Sequence, residues 1–248
     1  MKKVVQKRNG TDNFAWDVLC EPPILEKLKT EEKFWQIIAL ARSINVLSFA
    51  HWSVLPFWED RSLHGQRTRT NLFFFTCAAL YEALLLVEKM NKNFHTDNTF
   101  AKLKSILKDQ TAQKLRGMHL KRARNHMVFH FAPESFGEIV NIPGESMCSF
   151  VAGLGNDRAQ RYYTFADVLA MEYFVGHAAN NSEKFYESLD KLMLSTRQLT
   201  ADFVDAAEHL IKHSLAAWGF QIRQQPISKG LAAAKRKIAK RVKAVGIG

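Results

Sequence analysis

Arg124, Asn125 and His130 stand at fixed spacing in the run Arg-Asn-His-Met-Val-Phe-His, residues 124–130. These residue types suit work on a phosphodiester. An imidazole moves protons near neutral pH. A guanidinium stays charged and grips a phosphate through a planar fork. An amide both donates and accepts hydrogen bonds, so it can orient either partner. Their spacing presumes a helix. At about 100° per residue, Leu120, Ala123, Met127 and Phe131 fall on one apolar stripe, with Arg124 and His130 on its two shoulders. The two are then ~120° apart around the axis and ~9 Å apart along it. They do not touch as neighbours, but a phosphate lying across the shoulder is within reach of both, more easily if a second copy of the helix faces it. Phe129 points roughly opposite the stripe, toward either a covering helix or a subunit interface.

The charge around this run points the same way. The chain carries a formal net charge of +11. Between Asp109 and Glu134 there is no acid, while Lys114, Arg116, Lys121, Arg122 and Arg124 are all present. A second acid-free stretch, from Lys229 to Lys243, holds seven lysines and arginines, among them Lys235, Arg236, Lys237, Lys240 and Arg241. Basic surfaces of this kind attract polyanions, and RNA is the expected partner. The plainer reading of each such residue is a solvated helix face.

The pattern R-N-x4-H formed by Arg124, Asn125 and His130, followed at once by Phe131, resembles the motif of the HEPN family (higher eukaryotes and prokaryotes nucleotide-binding domains). The resemblance covers roughly residues 31–132. It implies an all-α fold: a HEPN-like antiparallel helical bundle, here with an added C-terminal helical layer. It also implies a metal-independent endoribonuclease, of the kind found in toxin–antitoxin and anti-phage systems. In that chemistry His130 is the general acid or base for attack of the RNA 2′-hydroxyl, and Arg124 stabilises charge on the phosphoryl oxygens. Asn125 orients the phosphate or the histidine. The products are a 2′,3′-cyclic phosphate and a 5′-hydroxyl, and no cofactor is required. HEPN domains typically pair about a two-fold axis with their motifs in one composite cleft, which implies a homodimer. An acid on the preceding helix often supports the site, and Glu82 is the nearest candidate. An antitoxin or other regulatory partner is implied as well. The rival is a non-catalytic HEPN-like module that binds RNA or another protein.

Metal chemistry is the other alternative. His126 and His130 lie four apart, with His119 seven residues before His126, and two histidines at i and i+4 can share a metal. No acid follows His126 in the H-E-x-x-H manner, and the basic surroundings disfavour a cation. His209 and His213 repeat the spacing beside Glu208. The expectation is no metal site.

The elements that must position the motif follow from periodicity. Residues 1–30 are polar, contain Pro22-Pro23 and read as an N-terminal arm. Residues 31–132 read as the HEPN-like core. Its first helix starts at Glu31 behind Thr30, buries Phe34, Ile37, Ile38, Ala41 and Ile44, and is ended or kinked by Pro56. A polar loop around His64-Gly65 leads to a helix from about Arg67 to Lys92, apolar nearly all round and therefore central. A shorter helix, Phe100 to Lys108, precedes the motif helix, which starts near Thr111 and stops before Pro133. Gly117 weakens that helix and permits a bend.

Residues 133–225 read as a connecting loop and C-terminal helices packed on the core. Their helices run from Thr164 to Gly176 and from Ser182 to Trp218, the second with Phe185, Leu189, Leu192, Thr196, Leu199, Phe203, Ala206 and Leu210 as its stripe. Gly219 is its expected C-cap. Residues 226–248 read as a basic tail. No segment reads as a convincing run of alternating strands.

Several classes are excluded. Cys20, Cys77 and Cys148 fit neither a disulfide framework nor a zinc spacing, and such usage suits a reducing cytoplasm. The start, MKKVVQKRNGTDN, has basic residues but no apolar stretch behind them, so no secretory signal is expected. The most apolar run, Leu72 to Val87, is interrupted by Glu82 and short for a membrane span, so it reads as a buried helix with no membrane partner. No glycine-rich phosphate loop or nucleophile elbow occurs.

Overall fold

Helices account for nearly all of what the computed structural model describes, namely residues 14–128, 152–153, 162–176 and 182–226. The predominantly helical class is as expected. Contacts divide the chain into two units: Glu32–Ile211, and Met1–Glu31 together with Lys212–Gly248.

The larger unit begins with α2 (Glu32–Val54) and α3 (Leu63–Phe94). Asn93 Nδ2 donates to Gln36 Oε1 at one end of this pair, at 3.1 Å. At the other end Arg69 Nη1 donates to the carbonyls of Phe57 and Asp60. The Asn93–Gln36 bond, joining the end of α3 to the start of α2, makes the pair antiparallel, and Arg69 fastens the connecting turn to α3. The turn between them includes a 3-10 segment, Leu55–Phe57, which carries Pro56. Ser62 then caps α3, its hydroxyl accepting from the Gly65 backbone N–H at 3.1 Å. His64 and Gly65, expected in a loop, therefore lie in the first turn of α3. Gly65 has a steric reason to be there. A Cβ would lie 2.5 Å from the Asp60 carbonyl oxygen.

The helix after this pair is short. A 3-10 turn, Asn98–Phe100, runs into α4 (Ala101–Lys108), which α5 (Gln110–Leu115) follows after Asp109 alone. The helical path then continues as two π segments, Arg116–Leu120 and Ala123–Val128. Residues 110–128 are called the motif helix below. Farther on, α6 (Thr164–Val175) and α7 (Ser182–Ala217) complete the helices. A minimal antiparallel pair joins β2 (Ala152–Gly153) to β3 (Tyr162–Tyr163).

The core of this unit holds Ile37, Leu40, Leu47, Leu80, Leu84, Met90, Phe100, Leu103, Leu120, Phe174, Phe203 and Leu210, all essentially without solvent contact. Each contributes roughly 1.5–3 kcal/mol by leaving water. The α2 stripe is rotated from the expected one. Phe34 and Ile37 are buried as expected, but Ile38 is exposed and Leu40, Leu47 and Ala50 take the inner face. On α7 the expected stripe holds for Phe185, Thr196, Leu199, Phe203, Ala206 and Leu210, while Leu189 and Leu192 are half-buried.

The smaller unit corrects the reading of both chain ends. Within residues 1–30 lie β1 (Phe14–Leu19) and α1 (Pro22–Leu28), where an arm without structure was expected. β1 pairs antiparallel with β4 (Gln221–Pro226), in the register Phe14 to Pro226 and Leu19 to Gln221. Pro226 is therefore the last residue of a strand rather than the first of a tail. A strand-terminal position tolerates it because no further ladder bond is needed. Gly219 ends α7 as expected, in a left-handed conformation with φ of 85°. Its N–H donates to the Ala216 carbonyl and that of Phe220 to the Leu215 carbonyl, the Schellman arrangement.

Candidate nucleic-acid interface on the motif helix

Asp109 starts the motif helix by accepting the Ala112 backbone N–H on its Oδ1 at 2.8 Å. That satisfies one orphan donor of the first turn. Regular α-geometry lasts until Leu115. Beyond it the Lys121 N–H donates to the Arg116 carbonyl, five residues back, so the helix widens. A Cβ on Gly117 would meet nothing within 4 Å. The expected bend there is replaced by this widening. Leu120, Ala123 and Met127 are buried on the expected stripe, while Phe131 lies outside the described residues.

Two ion pairs tie this helix to α3, again in antiparallel order. Arg124 Nε donates to Glu82 Oε1 at 2.7 Å, and Arg116 grips both carboxylate oxygens of Glu88. The Arg116 guanidinium also lies over the Tyr81 ring, 5.9 Å from its centroid. The hydrogen bonds from Arg116 hold the Glu88 carboxyl below its ordinary range. Arg124 also reaches its neighbour: Nη1 donates to Asn125 Oδ1 at 3.1 Å. Among the described residues no hydrogen bond takes Nη2 of Arg124. The side chain is about one-third exposed.

α6 packs on the other side of the helix. His119 is buried and its Nδ1 lies 2.7 Å from the Phe174 carbonyl oxygen. A carbonyl only accepts, so Nδ1 carries the proton. Burial pushes the His119 pKa down, with Arg122 and Lys114 adding to the effect and the Phe174 carbonyl opposing it. His119 thus clasps α6. Its ring lies 5.3 Å from that of Phe174, which in turn meets Phe73 and Phe74 of α3 at 5.3 and 5.6 Å. Arg122 donates to the Tyr173 carbonyl at 3.2 Å and its guanidinium lies 5.1 Å from the Tyr173 ring centroid. His126 meets the same ring edge-on at 5.7 Å.

Of the three proposed catalytic side chains, the structure brings Arg124 and Asn125 together. His130 lies outside the described residues, as do Lys235, Arg236, Lys237, Lys240 and Arg241. Lys114 and Lys121 are exposed on the motif helix. Arg116 and Arg122 are each engaged within the fold, so their charge is shared with Glu88 and with the α6 backbone. Among the described residues no three metal-ligating side chains converge. Two open surface depressions, one between α4 and α7 at Lys102 and Asp205 and one at Trp58 and Arg69, include no motif residue.

The sequence reading missed Glu88, Tyr173 and Phe174. Glu88 had a signal: with Glu82, it is an acid on a helix that is otherwise apolar through its middle. The Tyr173 and Phe174 contacts had none, because they span about fifty residues of chain. No protein-family model, curated protein or solved structure matches the chain.

α2 with its following turn (Glu32–Phe57) and α3 (from His64 to Phe94) are long and apolar enough to cross a membrane by length and composition. The expectation that the apolar run is too short for a span is thus corrected for α3, which has 32 residues. In this fold α3 carries Glu82 and Glu88 in ion pairs and lies against both α2 and the motif helix.

Proposed function

We propose that the chain is an endoribonuclease of HEPN type that cleaves RNA without a metal. Arg124 and Asn125 bind the scissile phosphate and His130 moves the proton. The observation that supports this reading is the part-exposed Arg124 side chain, held by two partners. Glu82 fixes its Nε and Asn125 fixes Nη1, while about a third of the side chain stays exposed beside the buried stripe of Leu120, Ala123 and Met127. A fork held from behind by a carboxylate is preorganised for an anion in front. Lys114 and Lys121 add attraction for the RNA backbone. The setting is a reducing cytoplasm, and the biological role is that of a toxin or anti-phage effector restrained by an antitoxin or other regulator.

A second reading has its own observation. Arg116, Arg122 and Arg124 all make contacts inside the fold, which suits a structural helix in a non-catalytic module that binds RNA or protein. Digestion of RNA with end-group analysis separates the two. Cleavage that leaves 2′,3′-cyclic phosphate and 5′-hydroxyl ends, survives a chelator and drops roughly 100-fold or more in Arg124→Ala and His130→Ala supports the nuclease. Binding without cleavage supports the module. Activity that a chelator stops and added zinc or manganese restores favours metal chemistry at the histidines.

A further inference from the structure

α2 exposes the residues that a soluble helix ordinarily hides. Trp35, Ile38, Phe49 and Trp52 are 54%, 51%, 63% and 71% exposed. With exposed Arg42 and Asn45 they form the series 35, 38, 42, 45, 49, 52. Its alternating steps of three and four are the a/d spacing of a helix that packs along another helix. The series lies about 150° around α2 from the inner stripe of Phe34, Ile37, Leu40, Leu47 and Ala50. It is therefore a second seam, separate from the one that packs on α3.

We propose that this seam binds the same seam of a second copy, with the two α2 helices antiparallel about a two-fold axis; this contact is distinct from the motif-to-motif cleft that the HEPN resemblance implies, since the seam faces away from α3, on which the motif helix packs. The order of residues along it specifies that partner. Folded back on itself around its midpoint, the series places Trp35 opposite Trp52, Ile38 opposite Phe49 and Arg42 opposite Asn45. Every a position meets a d position, as antiparallel packing demands, and every residue meets a counterpart of its own kind. An isologous contact requires such self-complementarity.

The central layer carries a further argument. A guanidinium donates and an Asn side-chain oxygen accepts, so Arg42 and Asn45 satisfy one another twice across the axis. One polar layer inside an apolar seam fixes register. A lipid surface would leave Arg42 stranded in the middle of the apolar face. Nor do the flanks suit an anionic membrane: Glu31, Glu32 and Glu59 offset Lys33 and Arg61, where an interfacial helix carries a basic excess.

The area is adequate. The four apolar side chains each offer on the order of 100 Å². With the polar layer and flanking residues, two copies bury roughly 1,200 Å² in all, the lower end for a stable pair.

The test uses the full chain. In light scattering or sedimentation at micromolar concentration the native protein should have twice the 28.4 kDa mass of one chain. Ile38→Glu and Phe49→Glu should each weaken the pair at least about 30-fold, the loss typical of a central interface residue. Their helical circular dichroism should be unchanged, because both side chains already face outward. The register has its own readout. Chains carrying Ile38→Cys mixed with chains carrying Phe49→Cys should form an interchain disulfide between positions 38 and 49 under mild oxidation. Ile38→Cys alone should not, since its two copies lie about 16 Å apart along the axis. Arg124→Ala should stay paired whether or not RNA is cut, so the pairing and the nuclease reading fail separately. A native protein that is monomeric overturns the proposal. So does a pair unmoved by both glutamates, or a monomer that floats with phosphatidylcholine–phosphatidylglycerol vesicles.

Discussion

Arg124 and His119 sit five residues apart and show how one helix divides its polar residues between two tasks. Arg124 meets Glu82 where both side chains remain more than a third exposed or nearly so. Such a pair is worth only about 0.2–1 kcal/mol, so Glu82→Gln should scarcely alter the melting temperature. If Arg124 binds the scissile phosphate, the same substitution should lower cleavage far more than stability, because it frees the fork to rotate. Comparing cleavage rate with thermal unfolding in that variant checks the distinction. His119 is the opposite case. Its pKa is depressed below 6.5 by burial, so the unfolded chain binds a proton that the folded chain refuses. The associated stability is fully present above that unfolded value and is lost as pH falls from it toward the folded pKa. Melting temperature should therefore fall as pH drops below about 6.5. His119→Gln, whose amide can still donate to the Phe174 carbonyl, should melt with a shallower dependence over that range. An unchanged slope would remove His119 as the cause.

At the scale of elements, the ends of helices are set by single side chains. Asp109 follows α4 and caps the motif helix, so Asp109→Ala leaves the Ala112 N–H without its partner. The expected cost is about 1 kcal/mol, readable by denaturant titration with an unchanged m-value. Gly219 holds φ at 85°, and a Cβ there would also come within 3.3 Å of Ile24 Cδ1. Gly219→Ala should cost about 1 kcal/mol for the left-handed backbone alone, and more if Ile24 cannot yield. Gly117 behaves differently, since its surroundings are open. Gly117→Ala should be neutral or stabilising by up to about 1 kcal/mol through the unfolded chain. A clear loss of stability there would mean that the π segments need glycine at this point.

For the whole molecule the prediction concerns charge. Residues after Pro226 carry seven of the chain's lysines and arginines and no acid. Because Pro226 ends β4, the informative deletion removes residues 227–248 and leaves the β1–β4 ribbon whole. Affinity for RNA should fall, and its dependence on salt should flatten as fewer counterions are released. The cleavage rate at saturating RNA should hardly change. Equal affinity and equal salt slope in the truncated chain would assign the tail to another partner, such as an acidic regulator.

The amino-acid sequence by itself determined the helices whose signals are local. α7 is an instance: Phe185, Thr196, Leu199, Phe203, Ala206 and Leu210 repeat at helical spacing, and Gly219 closes the helix without help from distant residues. Cys77 is another, since an apolar run on both sides already placed it in the core, where it has no solvent contact. The motif triplet and its acid-free window are likewise matters of order along the chain. What the tertiary structure decided depends on pairs far apart in sequence. β1 and β4 are each too short and too mixed in polarity to declare themselves. A two-stranded ribbon gains its hydrogen bonds only when both strands are present, here separated by some two hundred residues of chain. Which face of α2 turns inward was ambiguous because apolar residues occur on two of its sides. Packing against α3 selected Leu40 and Leu47 over Ile38. The same holds at the site. The sequence singled out Arg124 by its motif and left Lys114, Arg116, Lys121 and Arg122 alike, and the fold distinguished these four, since only the three-dimensional neighbours Glu88 and Tyr173 determine which charge is already engaged.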